Sequence, residues 1–331
     1  MKSSWILFVI ISLFLALPGF SESFGTGLVQ ATVAFSSDEK DLFPEGIAYD
    51  SRTEQFFLSS ISKEKIVAID RFGKCSDFVP PRGDGLLRSL GLKVDARRRR
   101  LWAVSNSDWG DAMVSAVHVY DIDSRKLVKR LFTVRGKTPT FNDLVLMADG
   151  DAYISDVAGN SIYRVPPGLD RVELFLHSDT LLAGANGLAA SADETFLYVA
   201  SETAGIMLLD LKNKTVQPLS NRLGADCRGI DGLLLHRNSL IGILNGDRDA
   251  GRHCIVRYAL SPDGREIIAA SLIDWKNPLF AEPTTAVIVG DDLYCLAATF
   301  LRQFTLEAAA DAGRLGKPLV LKYDLRPGPK S

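Results

Sequence analysis

The run PTFNDLVLMADGDAYISDVAGNSIYRV, residues 139–165, decides the fold. It reads as three short strands joined by two turns. Residues 144–147 are apolar and follow Phe141, Asn142 and Asp143. The tetrapeptide ADGD at 148–151 is a tight-turn signal, because Gly150 can take a positive φ. Residues 152–155 make the second strand, 157–161 a loop, and 162–165 the third. The unit is a β-meander with a polar Asn–Asp pair at its entrance.

The same unit recurs along the chain. Each copy opens on a polar or small residue, runs into alternating apolar residues, turns on Asp or Gly, and continues into a second strand. Glu45-Gly46 leads to 55–58 and 66–69. Leu90-Gly91 leads to 101–104 and 117–120. Asn186-Gly187 leads to 196–199 and 206–209. Asp231-Gly232 leads to 240–243 and 255–258, and Thr284-Thr285 to 293–296 and 319–323. With Asn142, the six openings stand about 44 to 53 residues apart. Several strands within a period of roughly 40–50 residues are the signature of a β-propeller. The expected fold is all-β, a six-bladed β-propeller with a central metal-binding channel. A strand at 28–35 is expected to close the ring as the outer strand of the last blade, which limits exposed edges. The longer loops fall at 105–115, 245–253 and 297–318, the last with a short helix over 306–312.

Composition agrees with one large core. The chain has 331 residues, 47% hydrophobic and 24% charged, as an ordinary globular protein has. A net charge of −2 and a pI of about 6.1 argue against nucleic acid or an anionic membrane as a partner. Arg97 to Arg100 reads as a solvated turn. The N-terminus differs. Lys2 precedes the apolar run WILFVIISLFLAL at 5–17, and small residues stand at Gly19 and Ser21. That is a signal peptide, cut after Ser21. It is short for a spanning helix, which needs roughly 20 apolar residues. The expected organisation is a signal at 1–21 and a single propeller over 22–331, secreted or delivered to a periplasm or endomembrane lumen. No membrane association is expected after cleavage, and the chain is expected to act as a monomer. An exported chain meets an oxidising compartment, so one disulfide among Cys75, Cys227, Cys254 and Cys295 and four buried thiols are both open. No CxxC spacing marks zinc. Asn213 heads a glycosylation sequon.

In a propeller the innermost strands line the channel and their entrances face one another. The six equivalent positions are Glu45, Leu90, Asn142, Asn186, Asp231 and Thr284. Two carboxylates and two amides among them are the oxygen donors that hard cations take. Two carboxylates neutralise a dication, and hard oxygen donors throughout favour Ca²⁺ over Zn²⁺. Any one Asn or Asp at a strand entrance is ordinary turn chemistry; four oxygen donors on one ring are not.

These openings resemble those of the gluconolactonase/regucalcin-like (senescence marker protein/gluconolactonase/luciferin-regenerating-enzyme-like) family. They are Phe43-Pro44-Glu45-Gly46, Phe141-Asn142-Asp143, Ala185-Asn186-Gly187-Leu188 and Ile230-Asp231-Gly232-Leu233. The resemblance covers about residues 40–325. It implies a six-bladed propeller with a divalent cation, usually Ca²⁺ and alternatively Mn²⁺, Zn²⁺ or Mg²⁺. It also implies hydrolysis of lactones or related esters and phosphoesters. Glu45, Asn142, Asn186 and Asp231 would hold the metal, with Asp231 also the general base or nucleophile. The chemistry suits those roles: the cation polarises the carbonyl and acidifies water, and the carboxylate takes a proton or attacks. Sugar-lactone members carry an Arg two residues before the first Asn ligand. Thr140 stands there, which speaks against sugar-acid lactones. Thr140, Trp109 and Thr284 are the pocket candidates, with a small-molecule lactone or ester as the partner. No GxSxG elbow and no two histidines at dyad spacing offer another nucleophile. His118 is expected mid-strand, His177 and His236 in turns, and His253 before a strand. The alternative is a non-catalytic metal-containing propeller that binds a ligand or partner. A strictosidine-synthase-like condensing enzyme shares the fold but does not need these oxygen ligands.

Overall fold

The second strand of each repeat reads as an almost unbroken apolar run, because both its faces are buried. The computed structural model describes residues 25–26, 28–107, 114–133, 139–245, 253–307 and 316–326. The expected signal segment and Trp109 lie outside these residues. Two short strands come first, β1 (Gly25–Thr26) and β2 (Thr32–Ser36). Blade 1 is β3 (Ile47–Asp50), β4 (Gln55–Ser60), β5 (Lys65–Ile69) and β6 (Cys75–Val79). Blade 2 is β7 (Arg88–Asp95), β8 (Arg100–Asn106), β9 (Ser115–Asp121) and β10 (Leu127–Phe132). Blade 3, the meander quoted above, is β11 (Phe141–Leu146), β12 (Ala152–Asp156), β13 (Ser161–Val165) and β14 (Glu173–His177). Blade 4 is β15 (Ala185–Ala190), β16 (Phe196–Ser201), β17 (Gly205–Asp210) and β18 (Thr215–Pro218). Blade 5 is β19 (Ile230–His236), β20 (Ser239–Leu244), β21 (Cys254–Leu260) and β22 (Ile267–Trp275). Blade 6 is β23 (Ala286–Val289), β24 (Asp292–Ala298) and, after helix α1 (Leu301–Glu307), β25 (Leu319–Asp324).

Every blade is an antiparallel meander, and β2 supplies the outer strand of blade 6 beside β25. The ring is therefore closed by the N-terminal strand, as expected, with that strand at 32–36 rather than 28–35. Just before it, β1 pairs in parallel with β22, so the entering chain fastens two blades. Gly150 makes the expected turn at φ 106°.

Side-chain alternation explains the core. In β4, Phe57 packs toward blade 2 with Phe78 and Tyr120, while Phe56 and Leu58 pack toward blade 6 with Leu296 and Val320. In β20, Leu240 and Leu244 face blade 4, while Ile241 and Ile243 face blade 6. Six hydrophobic clusters result, one at each blade–blade junction. Each fully buried Leu, Ile or Phe contributes about 1.5–3 kcal/mol, so the ring is held from every side.

Three expectations change, and the open choice at the cysteines is settled. The helix of the last long loop is α1 at Leu301–Glu307, earlier than the apolar pattern suggested; residues 308–312 lie outside the described residues. The arginine turn is an inter-blade clasp rather than a solvated face. Arg99 forks onto Asp50 of blade 1 and pairs with Asp123, and Arg98 donates to the Ala148 carbonyl of blade 3. His236 ends β19 rather than lying in a turn, buried with Nε2 2.9 Å from Asp291. All four cysteines are free thiols. His118 and His253 lie where expected, and His177 ends β14. Asn213 sits on the exposed turn between β17 and β18. Among the described residues no helix is long and apolar enough to cross a membrane.

Candidate active site

Each innermost strand carries one residue more than its partner strand, and the surplus falls at the ring. In β11, Asn142 and Asp143 together face the single residue Ser155. In β15, Asn186 and Gly187 face Ala200; in β19, Asp231 and Gly232 face Ile243; in β7, Leu90 and Gly91 face Val104. Blades 1 and 6 repeat the device. The Glu45 and Gly46 N–H groups both donate to the Ser59 hydroxyl, at 3.3 and 2.7 Å. Leu296 takes the Thr284 N–H and gives its own N–H to Thr285. A bulge breaks the two-residue alternation and re-aims a side chain. Here it turns the first residue of the pair into the channel in blades 1, 3, 4 and 5, while Leu90 of blade 2 packs into the core between blades 2 and 3.

The second residue of each pair meets the next blade. A methyl group on Gly46 would stand 2.1 Å from the Leu90 oxygen, and one on Gly187 2.4 Å from the Asp231 oxygen. Glycine is needed where the inner strands come this close. Blades 3 and 6 depart from the pattern with Asp143 and Thr285.

Glu45, Asn142, Asn186 and Asp231 converge on one small cavity, with Asp143 and Thr285 also in its wall. Its free volume is about 10 Å³, room for about one water-sized sphere. Asn142 Nδ2 lies 3.5 Å from Glu45 Oε1. Asp231 accepts from Asn245 and from Asn186. Burial first, then the charges of Glu282 and Asp143, push Glu45 up to about 7, against the hydrogen bond from Asn142. Burial first, then Glu45, Asp143 and Glu282, push Asp231 well above the usual carboxylate range. These are signs of converging acids short of positive charge. Among the described residues no three His, Cys, Asp or Glu side chains group as a metal cluster, so the amides are needed to complete a donor set. Two carboxylates and two amides, without sulfur or imidazole, fit a hard divalent cation.

A second cavity of about 520 Å³ opens over blades 3 to 5 and shares Asn186 and Asp231 with the first. Glu202, Thr203, Arg228 and Asn245 line it. Arg228 is held in place by Asp226, with Nε 3.0 Å from Oδ1. The cavity's position follows from the residues two upstream of the ring. In blades 4 and 5 these are Gly184 and Gly229, both at positive φ and both in the cavity wall. In blades 1, 2 and 6 they are Phe43, Arg88 and Glu282, and α1 lies over them. Phe304 packs on Phe43 at 5.2 Å and beneath the Arg88 guanidinium at 5.2 Å, and Glu282 takes the Arg302 N–H. One half of the mouth is roofed and the other is open.

The structure thus brings the four ring residues together. Thr140 and Thr284 are buried and line neither cavity. Thr284 is the wrong member of its bulged pair: Thr285 faces the channel, while the Thr284 hydroxyl finds no partner among the described residues. Glu202, Arg228 and Asn245 were missed because they sit on connections between strands, outside the repeating pattern. Asn245, placed at the end of β20 one strand from Asp231, is the one that pairing could have found.

No curated protein matches the chain in sequence. Among solved structures, a gluconolactonase from Xanthomonas campestris superposes with a TM-score of 0.61 at 15% identity, over 90% of each chain. Regucalcin from Agrobacterium tumefaciens, a calcium-binding protein, gives 0.61 at 16% identity, over 91% of this chain and 95% of its own. Virginiamycin B lyase from Staphylococcus aureus gives 0.57 at 14%, over 81% of each. Identities this low show the shared propeller and leave its chemistry to the site. The SMP-30/gluconolactonase/LRE-like region matches residues 43–272. That match spans well over half of the chain and all the ring positions but the last, so the chain belongs to the SMP-30/gluconolactonase/LRE-like family.

Proposed function

We propose that the protein is an exported hydrolase of lactones or related esters that depends on a divalent cation, Ca²⁺ by donor chemistry. The observation that carries this reading is the convergence of Glu45, Asn142, Asn186 and Asp231 on a space for one ion, directly beside a larger cavity. Those four residues would hold the cation, which supplies a Lewis acid for the carbonyl oxygen. That Asp231 belongs to both cavities supports its carboxylate as the group that takes a proton from water or attacks the carbonyl carbon. Asn245 and Asn186 fix its orientation by hydrogen bonds. The open half of the mouth, with Arg228, Glu202 and Thr203, receives the substrate, and α1 closes the other half.

The test is hydrolysis of a panel of sugar lactones, aliphatic γ- and δ-lactones and aryl esters by the mature protein, with EDTA and with Ca²⁺ restored. Turnover abolished by EDTA and recovered with Ca²⁺ is the expected result. Calcium binding without turnover of any panel member would favour a metal-containing binding module.

A further inference from the structure

Asp143 is the anomaly of the ring. Where blades 1, 2, 4 and 5 carry glycine, blade 3 carries a carboxylate, only 7% exposed, in the wall of the ion-sized cavity. Both its oxygens are engaged by neighbouring blades. Lys93 of β7 reaches Oδ1 at 2.9 Å, with its side chain 29% exposed. The Leu188 N–H of β15, two residues after Asn186, points at Oδ2 at 3.4 Å. Its own N–H donates to Ser155 at 3.0 Å. One carboxylate therefore ties the bulge that carries Asn142 to the bulge that carries Asn186.

The charge count gives this pair a second consequence. Without Lys93 the cavity would hold three carboxylates, Glu45, Asp143 and Asp231. With Lys93 bound to Asp143, two carboxylates of the cavity wall remain uncompensated, which matches a charge of +2; Glu282 stands outside that wall and accepts the Arg302 N–H.

We propose that Lys93 is a specificity-determining residue: its ammonium, fixed on Asp143, sets the charge of the centre to that of a dication and reserves Asp143 for positioning the two amides. The inference rests on the divalent-cation reading of the ring. It makes a prediction that a purely structural role does not. A change of one unit charge at a fixed distance alters an ion's energy in proportion to the ion's own charge. Removing Lys93's charge must therefore favour a trivalent ion more than a divalent one, with logarithms of affinity moving in a ratio of about 3 to 2.

The experiment measures Ca²⁺ and Tb³⁺ affinities of the full mature chain and of Lys93→Met, Lys93→Arg and Asp143→Asn, with melting temperatures alongside. Lys93→Met should tighten Ca²⁺ by about tenfold and Tb³⁺ by about thirtyfold. Asp143→Asn, which leaves Lys93 uncompensated, should weaken both in the same proportion, and Lys93→Arg should keep the original selectivity. Equal factors for the two ions, or no change in Lys93→Met, would overturn the inference while leaving the metal centre standing. Failure of the unsubstituted protein to bind either ion would overturn the metal reading itself, and this inference with it.

Discussion

Among the described residues only acids act by charge on Glu45 and Asp231, and this has a measurable consequence at the scale of single residues. Glu45 releases its proton near pH 7 in the folded chain, above its ordinary 4.5, and Asp231 shifts in the same direction. A carboxyl that holds its proton more tightly when folded stabilises the protein at low pH. That contribution is lost as pH rises from about 4.5 through 7. EDTA-treated protein should therefore melt at a higher temperature near pH 5.5 than near pH 8. Calcium should raise the melting temperature most at the higher pH, where the carboxylates are free to bind it. A metal-free melting temperature that climbs steadily over that range would contradict the electrostatics of the centre. Asp231→Asn should keep the fold and lower turnover by about 10²–10⁴, the usual span for a lost general base. Steady-state rates beside calcium titrations would separate that loss from loss of the ion. The four ring residues were legible because repeat spacing alone brings them together. Asp143, Lys93 and Arg228 were not legible as a site, because contacts between blades place them. Thr284 and Thr285 show the same limit: a single extra residue in a strand exchanges which of two neighbours faces the channel.

Among the elements, the inner-strand bulges and the β7–β8 turn do the most to hold the blades in register. Arg99, whose side chain is 14% exposed, forks onto Asp50, which is fully buried. Removing the guanidinium leaves a buried carboxylate unpaired. Arg99→Ala should cost about 3 kcal/mol in urea-induced unfolding, while exposed Arg97→Ala should stay within about 0.5 kcal/mol. Equal small effects would restore the solvated-turn reading that the run of four arginines suggested. That reading failed because Asp50 is distant in sequence and only the packing of blade 1 on blade 2 brings it near. Strand existence, by contrast, was plain from apolar runs bounded by Asp and Gly. Helix α1 starts at Leu301, ahead of the expected 306, because its position depends on Phe304 packing against Phe43 and Arg88.

For the molecule as a whole, closure is the decisive feature. Strand β2 covers the edge of β25, and Phe35 packs on Phe56 of blade 1 at 5.0 Å. A chain beginning at Ser37 would expose that edge and open the cluster between blades 6 and 1. It should melt at a lower temperature and associate on size-exclusion chromatography, compared with a chain beginning at Glu22. Identical melting would mean that the ring does not need its N-terminal strand. A closed ring is also what allows four residues from four blades to meet on one axis, and that meeting is the central claim. The most direct measurement is a crystal structure of the mature protein grown with Ca²⁺, with anomalous differences collected at long wavelength. One peak is expected in the small cavity, with oxygens of Glu45, Asn142, Asn186 and Asp231 about 2.3–2.6 Å away. No peak there at saturating Ca²⁺, or a peak held by other residues, would contradict it.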